Sequence, residues 1–411
     1  MRLSVLLGER QKEKPADAFL DSHIFMLRGG YIRQVAGGIY SLLPPAKRAV
    51  RKIENIIREE MDAIGGQEVL FPVVLPAELW QESGRYEDVG EELMRFKDRA
   101  GRPMVLGMTH EEASVHLARN EAKSYLRYPF MIYQIQTKFR DEPRVRGGLI
   151  RVREFTMKDG YSFHTSWDDL REYYKQVYAA YERIFSRVGL KNVFAVQSDS
   201  GMMGGKTAHE FMFPSAGGED ELVICKSCGY RSNMEVAASV LPDIETDEEK
   251  NAAEAPLESV STPGIKDIDT LSAHLGVRPY KCVKAAVFAK EDGTPVIAFI
   301  RGDLSVNETK LSRLAKSEIE PFAGEADGLC LGFVGPLGLD VKGAEVWFDN
   351  SLKGAKNMVC GANRPDTHMT GLSFARDLNV PDERFAAFAE VSEGDLCSEC
   401  GAPLTITKGI E

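Results

Sequence analysis

The sequence predicts an α+β chain followed by a second, α/β unit. Three observations carry that prediction. A helix-period run is followed by a β-type run with an internal proline. Two strand-like runs, rich in arginine, flank a charged turn. An acidic, proline-bearing stretch then separates these elements from a further set of strands and helices.

From Pro45 to Ile64, the apolar residues Val50, Ile53, Ile56, Ile57, Met61 and Ile64 fall three or four apart, which marks one helix face. Gly65-Gly66 ends the helix. The run Glu68 to Leu75 reads as a strand, and Pro72 confines it to an edge or an interface because proline cannot donate to a ladder. Phe130 to Phe139 and Gly148 to Lys158 read as two antiparallel strands. Asp168 to Val188 is amphipathic, with Leu170, Tyr174, Val177, Tyr181, Ile184 and Val188 inward, Asp168 as its cap and Gly189 past its end. The span 243–264 holds seven acids against one lysine and reads as a solvated boundary. Beyond it, strands are expected at Val283 to Ala289 and Pro295 to Arg301, and a helix at Asn307 to Lys316.

Hydrophobic residues make up 43% of the 411 and charged residues 27%, so low-complexity, collagen-like and wholly disordered classes are excluded. A chain this long can bury a core without help from disulfides or metal. No apolar run approaches the ~18 residues of a membrane span, and the N-terminal apolar stretch is too short for a secretory signal. The net charge of −11 argues against a general nucleic-acid coat protein and leaves room for a local basic cleft. Seven cysteines, an odd number, point to the reducing cytosol.

The arginine-rich hairpin is the most informative stretch. From Lys138 to Lys158 there are seven basic and three acidic residues inside an acidic protein. Guanidinium forks grip phosphate oxygens in pairs, a carboxylate beside them accepts from an adenine amino group, and an aromatic stacks on the base. A solvated charged hairpin is the alternative; the spacing of Arg140, Glu142, Arg151 and Phe155 favours a site.

Phe139-Arg140-x-Glu142, a loop, then Arg151-x-x-x-Phe155-x-x-x-Asp159 resembles motif 2 of class II aminoacyl-tRNA synthetases. The helix at 45–64 and the strand with Pro72 resemble motif 1, whose proline sits at a dimer interface. Thr109-His110-Glu111-Glu112 resembles the Thr-x-Glu loop of prolyl-tRNA synthetases. The runs Tyr133 to Arg140 and Met157 to His164 are similar to the bacterial-type prolyl enzymes, and the likeness extends over essentially the whole chain.

That resemblance implies a class II antiparallel-sheet catalytic core with an inserted α/β editing domain. It implies ATP-dependent activation of L-proline to prolyl-adenylate, transfer to tRNA(Pro) and hydrolysis of mischarged Ala-tRNA(Pro), carried out in the cytoplasm by a homodimer joined through motif 1. ATP is the substrate, with Mg²⁺. By the same resemblance, Arg140 binds the ATP α-phosphate and the proline carboxylate. Glu142 reads adenine and Phe155 stacks on it. Arg151, with Arg144 or Arg146, holds the outer phosphates or the tRNA end. Thr109 and Glu111 hold the secondary amine of proline, and His209 lines the proline pocket.

Two decoys are set aside. Ser200 to Thr207 nearly fits a Walker A loop, but Ser200 stands where glycine is demanded, and His209 to Pro214 reads as a strand rather than the helix a phosphate cradle needs. His110-Glu111-Glu112 with His116 resembles a zinc-protease helix, but a spacing of six puts the two histidines on different faces.

Cys225-x-x-Cys228-Gly and Cys397-x-x-Cys400-Gly are two zinc-knuckle halves, and together they predict a tetrahedral structural zinc site. Their separation of 169 positions makes sense if the second unit is inserted between two adjacent strands and the halves clamp its neck. Reduced cysteines in two unrelated turns are the alternative. Cys282, Cys330 and Cys360 read as buried small apolar residues.

The inserted unit resembles the editing domain of bacterial-type prolyl enzymes, a second sieve for the smaller alanine. The resemblance implies roles for Lys284 at the tRNA 3′-terminal phosphate, with Lys281 as its rival, and for Asp349 and His368; Gly332 to Gly338 shape the pocket. The expected division is 1–224 as catalytic core, 225–240 with 395–411 as neck and return, and 241–394 as editing domain. Motif 3 and an anticodon-binding domain are not found, so the chain is expected to stop short of both. A chain that only edits, as an aminoacyl-tRNA deacylase, and a non-catalytic tRNA- or subunit-binding remnant are the alternative readings.

Overall fold

The computed structural model describes every residue except Met1, Leu3, Ser4, 199–206 and Glu325. The Walker A-like run lies almost wholly outside the described residues. The chain divides into two compact units, Met1–Phe194 and Ala195–Glu411.

The first unit opens with α1 (Asp21–Arg28), the hairpin β1 (Ile32–Ala36) and β2 (Ile39–Leu42), and α2 (Pro44–Ala63). The prolines of α2 stand in its first turn, where a missing N–H costs nothing, and Gly65 past its end takes φ 82°. The expected strand at 68–75 is split in two. β3 (Gly66–Glu68) and β4 (Val74–Pro76) flank an extended segment whose Phe71 is buried and donates its N–H to the Gln134 side chain at 3.0 Å. Then come α3 (Ala77–Glu82), α4 (Arg85–Asp88), β5 (Arg95–Lys97), β6 (Pro103–Leu106) and α5 (Glu111–Glu121). Trp80, Val105, Leu93 and Phe71 form the core under them.

The arginine-bearing strands are β7 (Phe130–Phe139) and β8 (Glu154–Phe163), antiparallel with Lys138 opposite Phe155, and β3 runs parallel to β7. β8 begins at Glu154 rather than at Gly148. Gly147 and Gly148 hold φ 67° and 71°, and a Cβ on Gly148 would stand 2.7 Å from the His23 ring, so the chain turns there on glycine and only Arg146 and Arg151 bridge. α6 (Trp167–Val188) follows. Its cap is Ser166, whose hydroxyl accepts from Asp169 N, so Asp168 falls inside the first turn. Tyr174 is exposed; Tyr173 takes the inward place and packs with Met61, Tyr133 and Ile184.

The second unit holds β9 (Phe194–Ser198), β10 (Ala208–Pro214), β11 (Asp220–Cys225), β12 (Arg231–Asn233), β13 (Ser239–Val240), α7 (Asp247–Asn251), β14 (Glu258–Ser261), α8 (Ile268–Leu275), β15 (Val283–Lys290), β16 (Pro295–Arg301), α9 (Glu308–Ala315), β17 (Ile319–Pro321), β18 (Glu345–Asp349), β19 (Met358–Gly361), β20 (Thr367–Leu372), β21 (Phe385–Ala386), β22 (Leu396–Cys397) and β23 (Leu404–Ile410). A closed barrel runs β10-β23-β11-β12-β9. β11 and β23 are hydrogen-bonded antiparallel neighbours, from Asp220 opposite Gly409 to Cys225 opposite Leu404. β12 stays in the barrel on the other side of β11, so the stretch from 234 to 403 is what leaves the barrel before the chain returns as β23, and β13 pairs with β22 at the passage. The inserted sheet runs β17-β15-β16-β18-β21, beside a smaller sheet β14-β20-β19. Alternation along β16 supplies two cores: Ile297 and Phe299 face one, and Val296, Ala298 and Ile300 face the other.

Candidate active site, editing pocket and metal centre

In the first unit the structure brings together six of the residues singled out from the sequence. Thr109 is buried just before α5, and its hydroxyl donates to Glu111 Oε1 at 2.8 Å. Glu111 and Glu112 open α5, where the positive end of the helix favours carboxylates. Arg85 Nη1 spans both, 3.3 Å from Glu111 Oε2 and 2.9 Å from Glu112 Oε1. Arg140 follows β7, lies 5.5 Å over the Phe155 ring across the hairpin and points its Nε at the Met108 carbonyl at 3.4 Å. Its fork is thus fixed between the Thr-x-Glu segment and an aromatic face.

Glu142 accepts from Arg144 N at 2.8 Å and meets Arg151 Nε at 2.9 Å. Burial pushes its carboxyl up, but the Arg144 amide and the Arg151 guanidinium outweigh that and hold it below the usual carboxylate range. Glu142 is therefore a ready acceptor, and Arg151 sits beside it. Arg153 also turns inward, donating to the Glu142 carbonyl at 3.1 Å.

Sequence reading missed the residues under this clamp. Tyr161 on β8 accepts from His110 N at 3.0 Å and donates to Asp159 Oδ2 at 2.5 Å. Burial, first, and the nearby carboxylates push its phenol well above the ordinary value, so it stays protonated. Lys138 on β7 lies 2.8 Å from Asp159 Oδ1 and 2.7 Å from His110 Nδ1. The signal was present in Lys138, alternating inward from Arg140, but lysine in a strand reads as exposed. His110 is engaged with Pro72 and Lys138, while His116 is exposed near Asn120, so the zinc-protease reading finds no converging pair.

In the second unit His209 is half-buried on β10. The four cysteine sulfurs converge: all lie within 4.8 Å of one another, with Cys225 to Cys400 at 3.5 Å and Cys228 to Cys397 at 3.7 Å. Sulfurs about 2.3 Å from a tetrahedral zinc would stand about 3.8 Å apart, so the donor set fits that ion. Gly229 and Gly401 take φ 81° and 73° behind each knuckle. The Cys228 amide, first among the backbone donors, pulls the Cys225 thiol down to about 6.

The editing-type unit has a cavity of about 510 Å³ lined by Lys284, His368, Lys266, Asp269, Gly332 and Gly361, among others. Lys284 Nζ donates to the Leu304 carbonyl at 2.5 Å. His368 is buried, bonds to the Thr262 hydroxyl through Nδ1 at 2.6 Å, and is pushed down by burial, so it is neutral at pH 7. Lys281 is not on this lining; it pairs with Glu245. Asp349 is not on it either. Its buried carboxylate accepts from the amides of Ser351, Phe388 and Ala389 and borders a different cavity. Asn363 was missed: from φ 56° its side chain clasps Gly335 and Leu337 by three hydrogen bonds of 2.8 to 2.9 Å and so holds the pocket loop. That loop lies against β19 so closely that a Cβ on Gly335 would sit 1.7 Å from the Gly361 carbonyl oxygen.

Residues 94–255 match the tRNA synthetase class II core domain (G, H, P, S and T), and residues 262–376 match the aminoacyl-tRNA editing domain. The proline--tRNA ligase of Thermotoga neapolitana is 45% identical over 418 residues, covering 100% of this chain and 70% of that protein. The chain belongs to the proline--tRNA ligase family. The proline--tRNA ligases of Moorella thermoacetica and Aquifex aeolicus are 44% and 42% identical, each with 100% of this chain and 71% of the relative covered. The fold is thus a class II synthetase core joined to a tRNA editing domain. Within that family architecture, Thr109, Glu111, Arg140, Glu142, Arg151, Phe155 and His209 fall in the segment matching the core. Lys284, Asp349 and His368 fall in the segment matching the editing domain.

Proposed function

We propose that this chain activates L-proline with ATP, passes the prolyl group to tRNA(Pro), and hydrolyses alanine mischarged on that tRNA. The observation that carries the first step is the Thr109–Glu111 pair standing beside the Arg140 fork, which itself lies over Phe155. Glu111 pairs with the cationic ring nitrogen of proline, Thr109 accepts from its second N–H, and Arg140 takes the carboxylate. Phe155 stacks on adenine and Glu142 accepts from its amino group, releasing Arg151 toward the outer phosphates. ATP arrives with Mg²⁺ as part of the substrate. A proline carboxylate oxygen bonds to the α-phosphorus as the bond to the bridging oxygen breaks, and pyrophosphate leaves. Arg140 offsets the charge that develops on the α-phosphoryl oxygens, so catalysis is positioning and electrostatics. The tRNA 3′-terminal hydroxyl then attacks the acyl carbon and AMP departs.

We assign 1–224, His209 included, to catalysis, 225–240 and 395–411 to a zinc-held neck, and 241–394 to editing. Dimerisation through α2 and the Pro72 segment is supported by the 42% exposure of Ile53 on the apolar stripe of α2. No helix among the described residues is long and apolar enough to cross a membrane. We place the chain in the cytoplasm, where cysteine thiolates stay reduced.

The reading is tested by proline-dependent exchange of pyrophosphate into ATP. Exchange with L-proline, and none without it, is expected; equal exchange with and without proline would reject it. For editing, Lys284 stands on the cavity lining, as does Lys266, whereas Lys281 is paired with Glu245. Lys284→Ala should slow deacylation of Ala-tRNA(Pro) about 10- to 100-fold, the worth of a charged hydrogen bond. Lys281→Ala should leave the rate near that of the parent. The opposite order would hand the role to Lys281.

A further inference from the structure

Beneath the amine clamp lies a set of buried charges that the activation chemistry does not use. Lys138 and His110 have no solvent exposure, and Asp159 has 8%. Breaking such a pair costs several kcal/mol, whereas well-packed apolar residues in its place are often as stable. Stability alone therefore does not explain an ion pair here. Lys138 meets the ring of His110, the residue between the two clamp residues, and Asp159 reaches its backbone N–H through Tyr161.

The grip comes from two sides. Tyr161 accepts the His110 backbone N–H and donates to Asp159 Oδ2, which Gln134 also bonds at 2.9 Å. On the other side, His110 Nε2 lies 2.9 Å from the Pro72 carbonyl. A carbonyl only accepts, so Nε2 carries the proton and Nδ1 is left to accept from Lys138 Nζ. The ring also fills the space against Gly107, where a Cβ would stand 2.6 Å from it. Backbone and ring of the residue between Thr109 and Glu111 are both fixed from one hairpin.

We propose that Lys138 and Asp159 are positioning residues for proline recognition, acting through His110 and Tyr161 to hold Thr109 and Glu111 at the spacing a secondary ammonium requires. The role rests on the assignment of Thr109 and Glu111 as the amine clamp. It separates proline affinity from ATP affinity, because the side-chain contacts of Phe155 and Glu142 run to Arg140, Arg144 and Arg151.

The test is calorimetric binding of L-proline and of ATP, measured separately, with the His110 ring followed by ¹⁵N NMR. Tyr161→Phe keeps the ring and loses one hydroxyl. It should weaken proline binding about tenfold, the worth of one hydrogen bond, and leave ATP affinity unchanged. Lys138→Met with Asp159→Asn removes both charges together, which avoids an unpaired buried ion. That double variant should fold, weaken proline binding at least as much, and lose the single Nε2–H signature of the His110 ring. Proline and ATP affinities falling together would overturn the positioning role. So would Tyr161→Phe binding proline normally while Glu111→Gln binds it weakly. Normal proline binding by Glu111→Gln would remove the clamp assignment and the positioning role with it.

Discussion

Arg140→Ala is expected to abolish proline-dependent pyrophosphate exchange, with a loss of at least about 10³-fold. Removing one preorganised donor to a developing oxyanion commonly costs about 10²- to 10³-fold in rate. Arg140 would serve two partners, the proline carboxylate and the α-phosphate, so ground-state binding of proline falls as well. Two neighbouring guanidinium groups are engaged with Glu142 instead. Arg151 is turned to Glu142, and Arg153 bonds the Glu142 carbonyl. The fork matters as much as the charge. Arg140 is braced by the Met108 carbonyl and the Phe155 face, a geometry a planar guanidinium satisfies and an ammonium does not. Arg140→Lys should therefore recover only part of the rate, about 10-fold over alanine by the value of one charged contact. A kinetic split sharpens the result: kcat/KM for both substrates should fall, because both meet this side chain. Exchange by Arg140→Ala near the parent rate would remove Arg140 from the chemistry.

What the sequence revealed depended on whether function and local pattern coincide. β7 was read at its observed bounds because alternation and the motif fall on the same residues. The sequence pattern starts the hairpin's second strand six residues before the observed one, since two glycines with positive φ take the chain out of the ladder and no apolar pattern records that. Tyr173 rather than Tyr174 faces inward on α6, a difference of 100° that periodicity alone resolves poorly when both neighbours are aromatic. The Lys138–Asp159–Tyr161–His110 network was invisible for another reason. His110 lies 28 positions from Lys138 and 51 from Tyr161, and only the tertiary fold brings them together. Asp349 shows the reverse case. A carboxylate at the end of a strand matched the editing pattern, yet its oxygens are taken by backbone amides away from the Lys284 and His368 cavity. Resemblance located residues; only geometry says which surface they serve.

Cys400→Ser should strip the chain of about one zinc and loosen the neck of the insertion. Cys400 is exposed, so serine there removes a ligand with little loss of packing, unlike Cys225 or Cys397, which belong to the apolar cluster with Val223, Met234, Ala237, Val391 and Leu404. That cluster is small, and two-residue pairing of β13 with β22 adds little. A metal clip would be effective here because it would close a loop of 169 positions between Cys228 and Cys397, and closure entropy grows with loop length. Structural zinc contributes about 10–16 kcal/mol of apparent binding energy in isolated zinc-finger peptides. A neck embedded in a barrel recovers part of that on losing one ligand, since β11 and β23 remain paired over six residues on each strand. The expected fall in Tm is about 5–10 °C, as for a loss of a few kcal/mol in a unit of this size. Chelation of the parent protein should reproduce both the shift and new proteolytic cuts between 226 and 240. Metal-free parent protein, purified without chelator and melting where Cys400→Ser melts, would mean that four thiols and their two turns hold the neck by themselves.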